Sequence, residues 1–231
     1  TDLDIGMNTR LCDPLEWDDT RAYDRGKLMT YERLEAGVEF GRYLDVDGDG
    51  IAYRTLPGTH PTRGGYFTRG TTKDRFARYS EAGPDYVENM QRLLRKFETA
   101  KTLVPKPLLI PAPRPARFGA IFYGSTSPAM SEALDALAER GILVNALRIR
   151  AFPFADEIVD FCNSHPWVFV IEQNRDAQLK TLLVNEANVN QNRLISVLHY
   201  DGTPITARYI VDEVARHASA HSVVPFKKVV S

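Results

Sequence analysis

Hydrophobic and polar positions follow two different regimes along this chain. From position 118 onward, short apolar runs alternate with amphipathic stretches. Residues 118–123, 143–149, 167–172 and 194–199 read as strands, and 128–140, 155–162, 176–188 and 206–217 as helices. The near-continuous run Trp167-Val168-Phe169-Val170-Ile171 suits a strand buried on both faces. Strands and helices alternating over short connections predict an α/β fold with a mostly parallel sheet covered on both sides. Residues 1–80 show no sustained period, and only 30–37, with Thr30 as N-cap, reads as a short helix. Their many aromatics, among them Tyr23, Phe40, Tyr53 and Phe76, argue against disorder and for docking on another domain.

A second helix comes next. Pro84 suits its first turn, and Tyr86, Val87, Met90, Leu93, Leu94 and Phe97 fall on one stripe, so one buried face is expected. Prolines at 105, 107, 111, 113 and 115 predict a stiff, extended linker. The expected organisation is therefore 1–104, a Pro-rich linker at 105–117, an α/β domain at 118–217 and a loosely held tail at 218–231. The opening Thr1-Asp2-Leu3-Asp4-Ile5-Gly6 reads as the end of a strand and its exit loop, which makes the chain a fragment on this reading.

Composition removes several classes of function. The chain has 29 Lys+Arg against 30 Asp+Glu, so no basic surface calls for nucleic acid or an anionic membrane. No apolar run approaches the ~18 residues of a membrane span. With only Cys12 and Cys162, no disulfide framework is expected and the cytoplasm is the default compartment. An iron–sulfur cluster takes about four thiolates, which this chain lacks.

Candidate chemistry concentrates between residues 45 and 74. In Asp45-Val46-Asp47-Gly48-Asp49-Gly50, alternate oxygen ligands precede a turn glycine, as in the first half of a calcium loop. Leu56 stands where the bidentate glutamate belongs, and a solvated glycine turn explains the same residues. Residues 53–74 are crowded with Arg, Thr, His and Gly, suited to carboxylates or phosphates and equally to a subunit interface. They form no Walker loop. Gly124-Ser125-Thr126-Ser127-Pro128, between a strand and a helix, fits an anion seat or a simple N-cap with proline in the first turn. His217 and His221 have helical zinc spacing without a third ligand. His60, His165 and His199 have no marked nucleophile beside them, so no catalytic triad is evident.

Several short motifs, in order, carry a family resemblance. They are Asp2-Leu3-Asp4-Ile5-Gly6-Met7-Asn8, Tyr23-Asp24-Arg25-Gly26-Lys27, Phe40-Gly41-Arg42-Tyr43 with 45–53, Arg54-Thr55-Leu56-Pro57-Gly58-Thr59-His60-Pro61, Tyr66-Phe67-Thr68-Arg69-Gly70, and residues 90–98. Phe122-Tyr123-Gly124-Ser125-Thr126, Val170-Ile171-Glu172-Gln173-Asn174 with Gln178, and Tyr200-Asp201-Gly202-Thr203-Pro204-Ile205 complete them. Across residues 1–217 the chain resembles the C-terminal part of the α subunits of 2-oxoacid:ferredoxin oxidoreductases, most closely the 2-oxoglutarate type.

The resemblance implies a thiamine diphosphate enzyme that decarboxylates a 2-oxoacid, passes electrons to ferredoxin and forms an acyl-CoA. It implies that thiamine diphosphate, Mg²⁺ and a [4Fe-4S] cluster are held largely by a β subunit, within an assembly containing a second αβ unit. Residues 1–104 resemble the trailing part of a pyrimidine-binding domain, and 118–217 a transketolase C-terminal domain. No catalytic residue is expected on this fragment, which would be inactive alone. Arg54, Thr55, His60, Arg69, Gly70, Thr72, Lys73 and Asp74 would face substrate or CoA. Gly70-Thr71-Thr72-Lys73-Asp74 departs from the family pattern, with Lys73 in place of a histidine and Asp74 kept. Two other readings are a non-catalytic assembly module and a Ca²⁺-binding module using Asp45, Asp47 and Asp49.

Overall fold

The computed structural model describes residue 11, residues 13–67 and residues 70–222, the side chains of 221 and 222 excepted. The motif at 2–8, Cys12, Thr68, Arg69 and the His221 ring lie outside the described residues. The chain divides after Leu103 into two compact units.

The first unit is mostly irregular, with two helices, α1 (Tyr31–Glu35) and α2 (Gly83–Leu103). Thr30 caps α1 as its sequence implies, its side chain accepting from the Arg33 N–H at 3.4 Å. The buried apolar residues are few: Met29, Leu34, Ala52 and Ala77. Backbone and side-chain hydrogen bonds hold the loops together instead.

Helix α2 overturns an expectation. Tyr86, Val87 and Leu94, on the stripe expected to be buried, are 53, 56 and 61% exposed. Its buried residue is Arg92, from the other side. The polar side faces inward because it finds partners there. Arg92 Nη1 donates to Gly50 O at 3.0 Å, Thr99 Oγ1 to Asp49 O at 2.6 Å and Asn89 Nδ2 to Lys73 O at 2.5 Å. Arg95 and Glu88 pair with Asp45 and Arg75. Periodicity identifies an apolar face, but not which neighbour covers it.

The second unit is α/β. Five strands, β1 (Leu108–Ile110), β2 (Phe118–Tyr123), β3 (Val144–Ile149), β4 (Trp167–Glu172) and β5 (Leu194–Leu198), form one sheet in the order β1-β3-β2-β4-β5. All pairings are parallel except that of β1 with β3, where Leu109 faces Leu147. The helices are α3 (Ser127–Glu139), α4 (Asp156–Ser164), α5 (Gln178–Ala187) and α6 (Ala207–Ser222). Alternate strand residues feed opposite cores. Ala120, Phe122, Phe169 and Ile171 pack with Met130 and Leu137 of α3 and Ile210 and Val214 of α6. Ile121, Val168 and Val170 pack with Ile158 and Phe161 of α4 and Leu179 and Leu183 of α5. The interiors of β2 and β4 are thus buried on both faces, which explains their unbroken apolar runs.

Two segments differ from the sequence reading. The Pro-rich stretch contributes the edge strand β1, because Leu108-Leu109-Ile110 is proline-free and can pair with β3. Helix α6 continues to Ser222, past the expected end of the domain, with Ala218 buried in the first core.

Candidate functional site

In the first unit, residues 53–67 and 70–80 fold into linked loops around two cavities. Pro57 and Gly58 make the turn that opens them. Thr59 N–H donates to Leu56 O at 3.0 Å, and Gly58 takes φ 83°, the positive angle the third position of a type II turn requires. His60 then organises the next turn. Its Nδ1 accepts from the Thr62 and Arg63 amides at 3.1 and 2.9 Å, which fixes the hydrogen on Nε2, 2.6 Å from Glu35. The ring stacks on Tyr31 with centroids 4.9 Å apart. The His60 hydrogen bond, with Arg63 beyond it, holds the exposed Glu35 carboxyl below its ordinary range. Thr55 Oγ1 donates to Gly64 O at 2.6 Å, and Arg63 Nη1 to Leu34 O at 2.8 Å.

The larger cavity, about 660 Å³, is walled by Leu34, Phe40, Arg63, Tyr66, Phe76 and Arg78 among others. Among the described residues its walls carry two arginines and no carboxylate. A smaller one of about 350 Å³, lined by Thr55, Thr59 and His60, shares Arg63 and Tyr66 with it. The size suits a small-molecule ligand. Arginine and aromatic rings together favour an anionic group attached to a flat or apolar body. Beside these cavities three cations gather around one phenol ring: Arg42, Lys73 and Arg92 stand 5.6, 5.1 and 5.5 Å from the Tyr43 centroid. Burial, and next to it the charge of Arg42, pulls the Arg92 guanidinium below its ordinary value.

Of the residues singled out in sequence, Thr55 and His60 line the smaller cavity, while Arg54 is turned to Arg25 O at 2.6 Å. Lys73 and Asp74 belong to a hairpin in which Lys73 pairs with Tyr79 and the Ser80 N–H reaches Thr72 O. Asp74 holds its turn: the Phe76 and Arg78 amides both donate to Asp74 Oδ1 at 2.9 Å, and Ala77 sits at φ 69°. Gly70 is exposed and lines neither cavity. Arg69 lies outside the described residues. Sequence reasoning did not single out Arg63 within the stretch 53–74, and it missed Arg78. Folding brings both to the larger cavity, with Arg42 5.8 Å from the centroid of its Tyr66 ring.

The acidic loop receives a cation of its own. Lys27 Nζ lies 2.7 Å from both the Asp47 and the Asp49 carboxylates. Asp45 accepts from Arg95 Nε and the Gly50 amide, each at 2.9 Å. Among the described residues no group of three His, Cys, Asp or Glu could hold a metal ion. The structure lends the calcium-loop reading no support: protein ammonium and guanidinium groups, delivered from outside the loop, lie against its oxygens. The missing twelfth-position carboxylate is the physical reason, since three aspartates alone fall short of a calcium shell.

This clamp has a calculable pH window. The Lys27 hydrogen bond holds Asp49 below its ordinary value, so its contribution is present above the unfolded carboxyl pKa and lost as pH falls through the folded one. Burial lowers the Lys27 pKa, but its Asp47 and Asp49 hydrogen bonds more than offset that and leave it raised. That contribution is complete below the unfolded lysine pKa and disappears as pH rises through the folded one. Lys27→Met is therefore expected to cost about 1 kcal/mol at neutral pH. Thermal unfolding across pH should show a gap between the two chains that is widest near neutrality and narrows towards both the acid and the alkaline end. A gap that does not change at all from neutral pH into the acid range would refute the pairing.

The second unit offers a crevice where β2 turns towards β3 and β4 towards β5, the place where doubly wound sheets bind ligands. Here Gln173 fills it: Nε2 donates to Ser125 Oγ at 2.8 Å and Thr126 Oγ1 at 3.3 Å, and Oε1 accepts from the Ile205 amide at 3.4 Å. The hydroxyl N-cap expected at 125–127 is not made. Thr126 makes no side-chain cap bond, and Ser127 Oγ donates back to Gly124 O. Ser164 Oγ lies 3.1 Å from His165 Nδ1, but this is no catalytic dyad. Asn145 Nδ2 donates to Nε2, its Oδ1 being taken by the Ala112 amide, so Nδ1 carries the hydrogen and gives it to Phe161 O. The ring is 6% exposed. Burial pushes the Cys162 thiol up to about 12, which removes it as a nucleophile or metal ligand at neutral pH. The zinc spacing of His217 and His221, which lacked a third ligand in sequence, gains no support: the His217 ring centroid lies 6.4 Å from that of Phe169, and the His221 ring is outside the described residues.

Fold and cavities together define an α/β scaffold joined to a cationic, aromatic-walled loop assembly. No protein-family model and no curated protein matches the sequence. Among solved structures, the 2-oxoglutarate:ferredoxin oxidoreductase from Magnetococcus marinus with 2-oxoglutarate, coenzyme A and succinyl-CoA bound is similar in fold. The TM-score is 0.66 over 77% of this chain, at 20% identity. That share exceeds what either unit holds, so the likeness takes in residues of both. The present chain spans 30% of that chain's length. Weaker likenesses, too distant to carry an argument, are to two further structures. One is the alpha chain of a probable 2-oxoacid ferredoxin oxidoreductase from Thermoplasma acidophilum (24% identity, 49% of this chain and 97% of that one, TM-score 0.34). The other is a split gene transketolase, an inactive beta4 tetramer (16%, 49% and 41%, TM-score 0.41).

Proposed function

We propose that this chain is the C-terminal part of the α subunit of a 2-oxoacid:ferredoxin oxidoreductase acting on 2-oxoglutarate. Its first unit would supply one wall of the substrate site. The observation that carries the reading is the fold likeness, over residues of both units, to an oxidoreductase holding 2-oxoglutarate, coenzyme A and succinyl-CoA. The ordered motifs from Tyr23 to Ile205 support it independently.

The implied cofactors do not fit this chain. Two cysteines, one of them with its thiol at about 12, are short of the thiolates of a [4Fe-4S] cluster. The described residues offer no three-ligand group for Mg²⁺. Thiamine diphosphate, magnesium and the cluster are accordingly assigned to the β subunit, and with them the carbanion chemistry. In this reading the assembly contains that β subunit, a second αβ unit and ferredoxin as electron acceptor. What remains for these residues is binding and orientation. Arg63 and Arg78, with no carboxylate among the described cavity walls and Glu35 3.9 Å from Arg63 outside them, would hold a substrate carboxylate or a CoA phosphate while Tyr66 and Phe76 enclose the rest. An assembly module without a substrate role is the second reading, favoured by the hydrogen bonds that occupy His60 and Arg54.

The test is CoA-dependent reduction of a viologen dye by the native preparation. Activity preferring 2-oxoglutarate over pyruvate is expected. Arg63→Ala should raise KM about tenfold or more with a smaller change in kcat, as lost binding does. Unchanged turnover in Arg63→Ala and Lys73→Ala would favour the assembly module. No activity with any 2-oxoacid, despite intact cofactors, would end the assignment.

A further inference from the structure

Neither cavity takes in the cluster around Tyr43: Arg42, Tyr43, Lys73 and Arg92 line neither of them. Segments far apart in sequence deliver its three cations, and each segment is pinned. Tyr43 N–H donates to Arg75 O at 3.0 Å, Lys73 O accepts from Asn89 Nδ2 at 2.5 Å, and Arg92 Nη1 donates to Gly50 O at 3.0 Å. The ring does not neutralise the charges gathered on it. A phenol is uncharged, and its quadrupole attracts a cation without cancelling it. Carboxylates on the adjoining segments are engaged elsewhere. Asp45 accepts from Arg95 Nε at 2.9 Å, Glu88 pairs with Arg75 at 2.8 Å, and Asp74 takes the Phe76 and Arg78 amides. Arg92 is the most confined member at 8% exposed, and its Nε is buried with no hydrogen-bond partner among the described residues. Such a donor is rare in folded proteins and calls for an acceptor. Burial, then the charge of Arg42, pulls its guanidinium down, and the attraction of Asp45 does not restore it.

We infer that Arg42, Lys73 and Arg92, standing 5.6, 5.1 and 5.5 Å from the Tyr43 centroid, form a seat for a phosphate-type oxyanion. Charge and shape select the ligand class. A phosphate group brings about −1.5 to −2 charges and three strong acceptor oxygens at neutral pH, one for each cation of the cluster. A carboxylate brings a single charge and two oxygens. Two guanidinium forks beside one ammonium combine the two ways in which side chains hold phosphate, paired hydrogen bonds and a point charge. The shared chemistry is the phosphate group, as the free ion or as a monoester. Arg42 also stands 5.8 Å from the Tyr66 ring of the larger cavity, which gives the body of a monoester a place beside the seat. The seat is a property of these residues and does not rest on the proposed activity.

The experiment titrates inorganic phosphate into the native preparation by calorimetry, with chloride holding ionic strength constant. Saturable binding is expected, weakened about tenfold or more by Arg42→Gln and by Lys73→Gln. Lys101→Gln removes the same charge from α2, where Lys101 pairs with Glu98, and should bind as the unaltered chain does. Arg42→Lys restores the charge and should recover affinity to within about threefold, which a misfolded variant would not do. Methyl phosphate then separates the two sources. Binding close to that of inorganic phosphate supports a seat open to a monoester, and binding about tenfold weaker supports one closed around the free ion. The inference is overturned if no saturable binding appears by roughly 10 mM phosphate, past the range of a weak specific site. It is overturned equally if Arg42→Gln and Lys73→Gln bind as before, or if Lys101→Gln loses as much as they do, which would mean diffuse charge. Acetate bound as tightly as phosphate would overturn the ligand class.

Discussion

Gly50→Ala is expected to abolish the folded form of the first unit. Gly50 sits at φ 79°, and a Cβ there would lie 2.2 Å from Lys96 N, 2.6 Å from Arg92 O and 2.7 Å from Lys96 Cα. All three are α2 backbone atoms, which no rotamer change can move aside. The left-handed conformation alone costs a non-glycine residue about 1–2 kcal/mol, and overpacking adds roughly 1–3. The helix would have to leave the loop, breaking the bonds from Arg92 and Thr99 to the Gly50 and Asp49 carbonyls. A unit with four buried apolar side chains has little reserve against a loss of about 3 kcal/mol or more. Amide hydrogen exchange should show α2 unprotected while the sheet of the second unit keeps its protection. Gly48→Ala is the control, because nothing lies within 4 Å of its Cβ position although φ is similar. Equal protection of α2 in both variants would sink the steric account.

Glu172→Ala should destabilise the second unit by about 3 kcal/mol. Glu172 ends β4 with no exposed surface, and α5 begins six residues later behind Ala177 at φ 50°, which offers no side-chain cap. Glu172 caps the helix across that gap: its carboxylate accepts from the Leu179 amide at 2.8 Å, the Lys180 amide at 3.3 Å and Asn174 Nδ2 at 2.7 Å. The positive end of the helix favours the charge, and charged hydrogen bonds contribute about 1.5–3 kcal/mol. Alanine removes all of these and leaves the Leu179 amide buried without its acceptor. Glu172→Gln keeps the shape and acceptor oxygen but loses the charge, so its loss should be intermediate. Denaturant unfolding of the three chains orders them. A glutamine variant as weak as alanine would mean that shape contributes nothing.

The second unit was legible because its elements carry their own reasons. Trp167–Glu172 is apolar throughout and short, so it reads as a strand buried twice, and its bounds agree with the structure. Thr30 announced a cap through its own hydroxyl. Helix α2 was equally plain as a helix, yet its orientation was misread. A stripe of Tyr86, Val87, Met90 and Leu94 says that something should cover it, whereas the loop at 45–50 that actually docks does so on the polar side. The cavities were least visible. Arg63 and Arg78 come to one cavity through contacts at long sequence separation, such as Tyr43 N–H to Arg75 O at 3.0 Å and Arg63 Nη1 to Leu34 O. Nothing in the immediate neighbours of these arginines distinguishes them from surface residues.

The lysine in the acidic loop has a consequence for how that loop responds to its surroundings. A free ion must be supplied at a concentration near its dissociation constant, and a chelator or an efflux pump can take it away. Lys27 is tethered 20 positions before Asp47, so its effective concentration at the carboxylates is fixed by the chain, in the millimolar range or above for so short a connection. The chain thereby keeps beside these carboxylates a counter-charge that does not have to be supplied from solution.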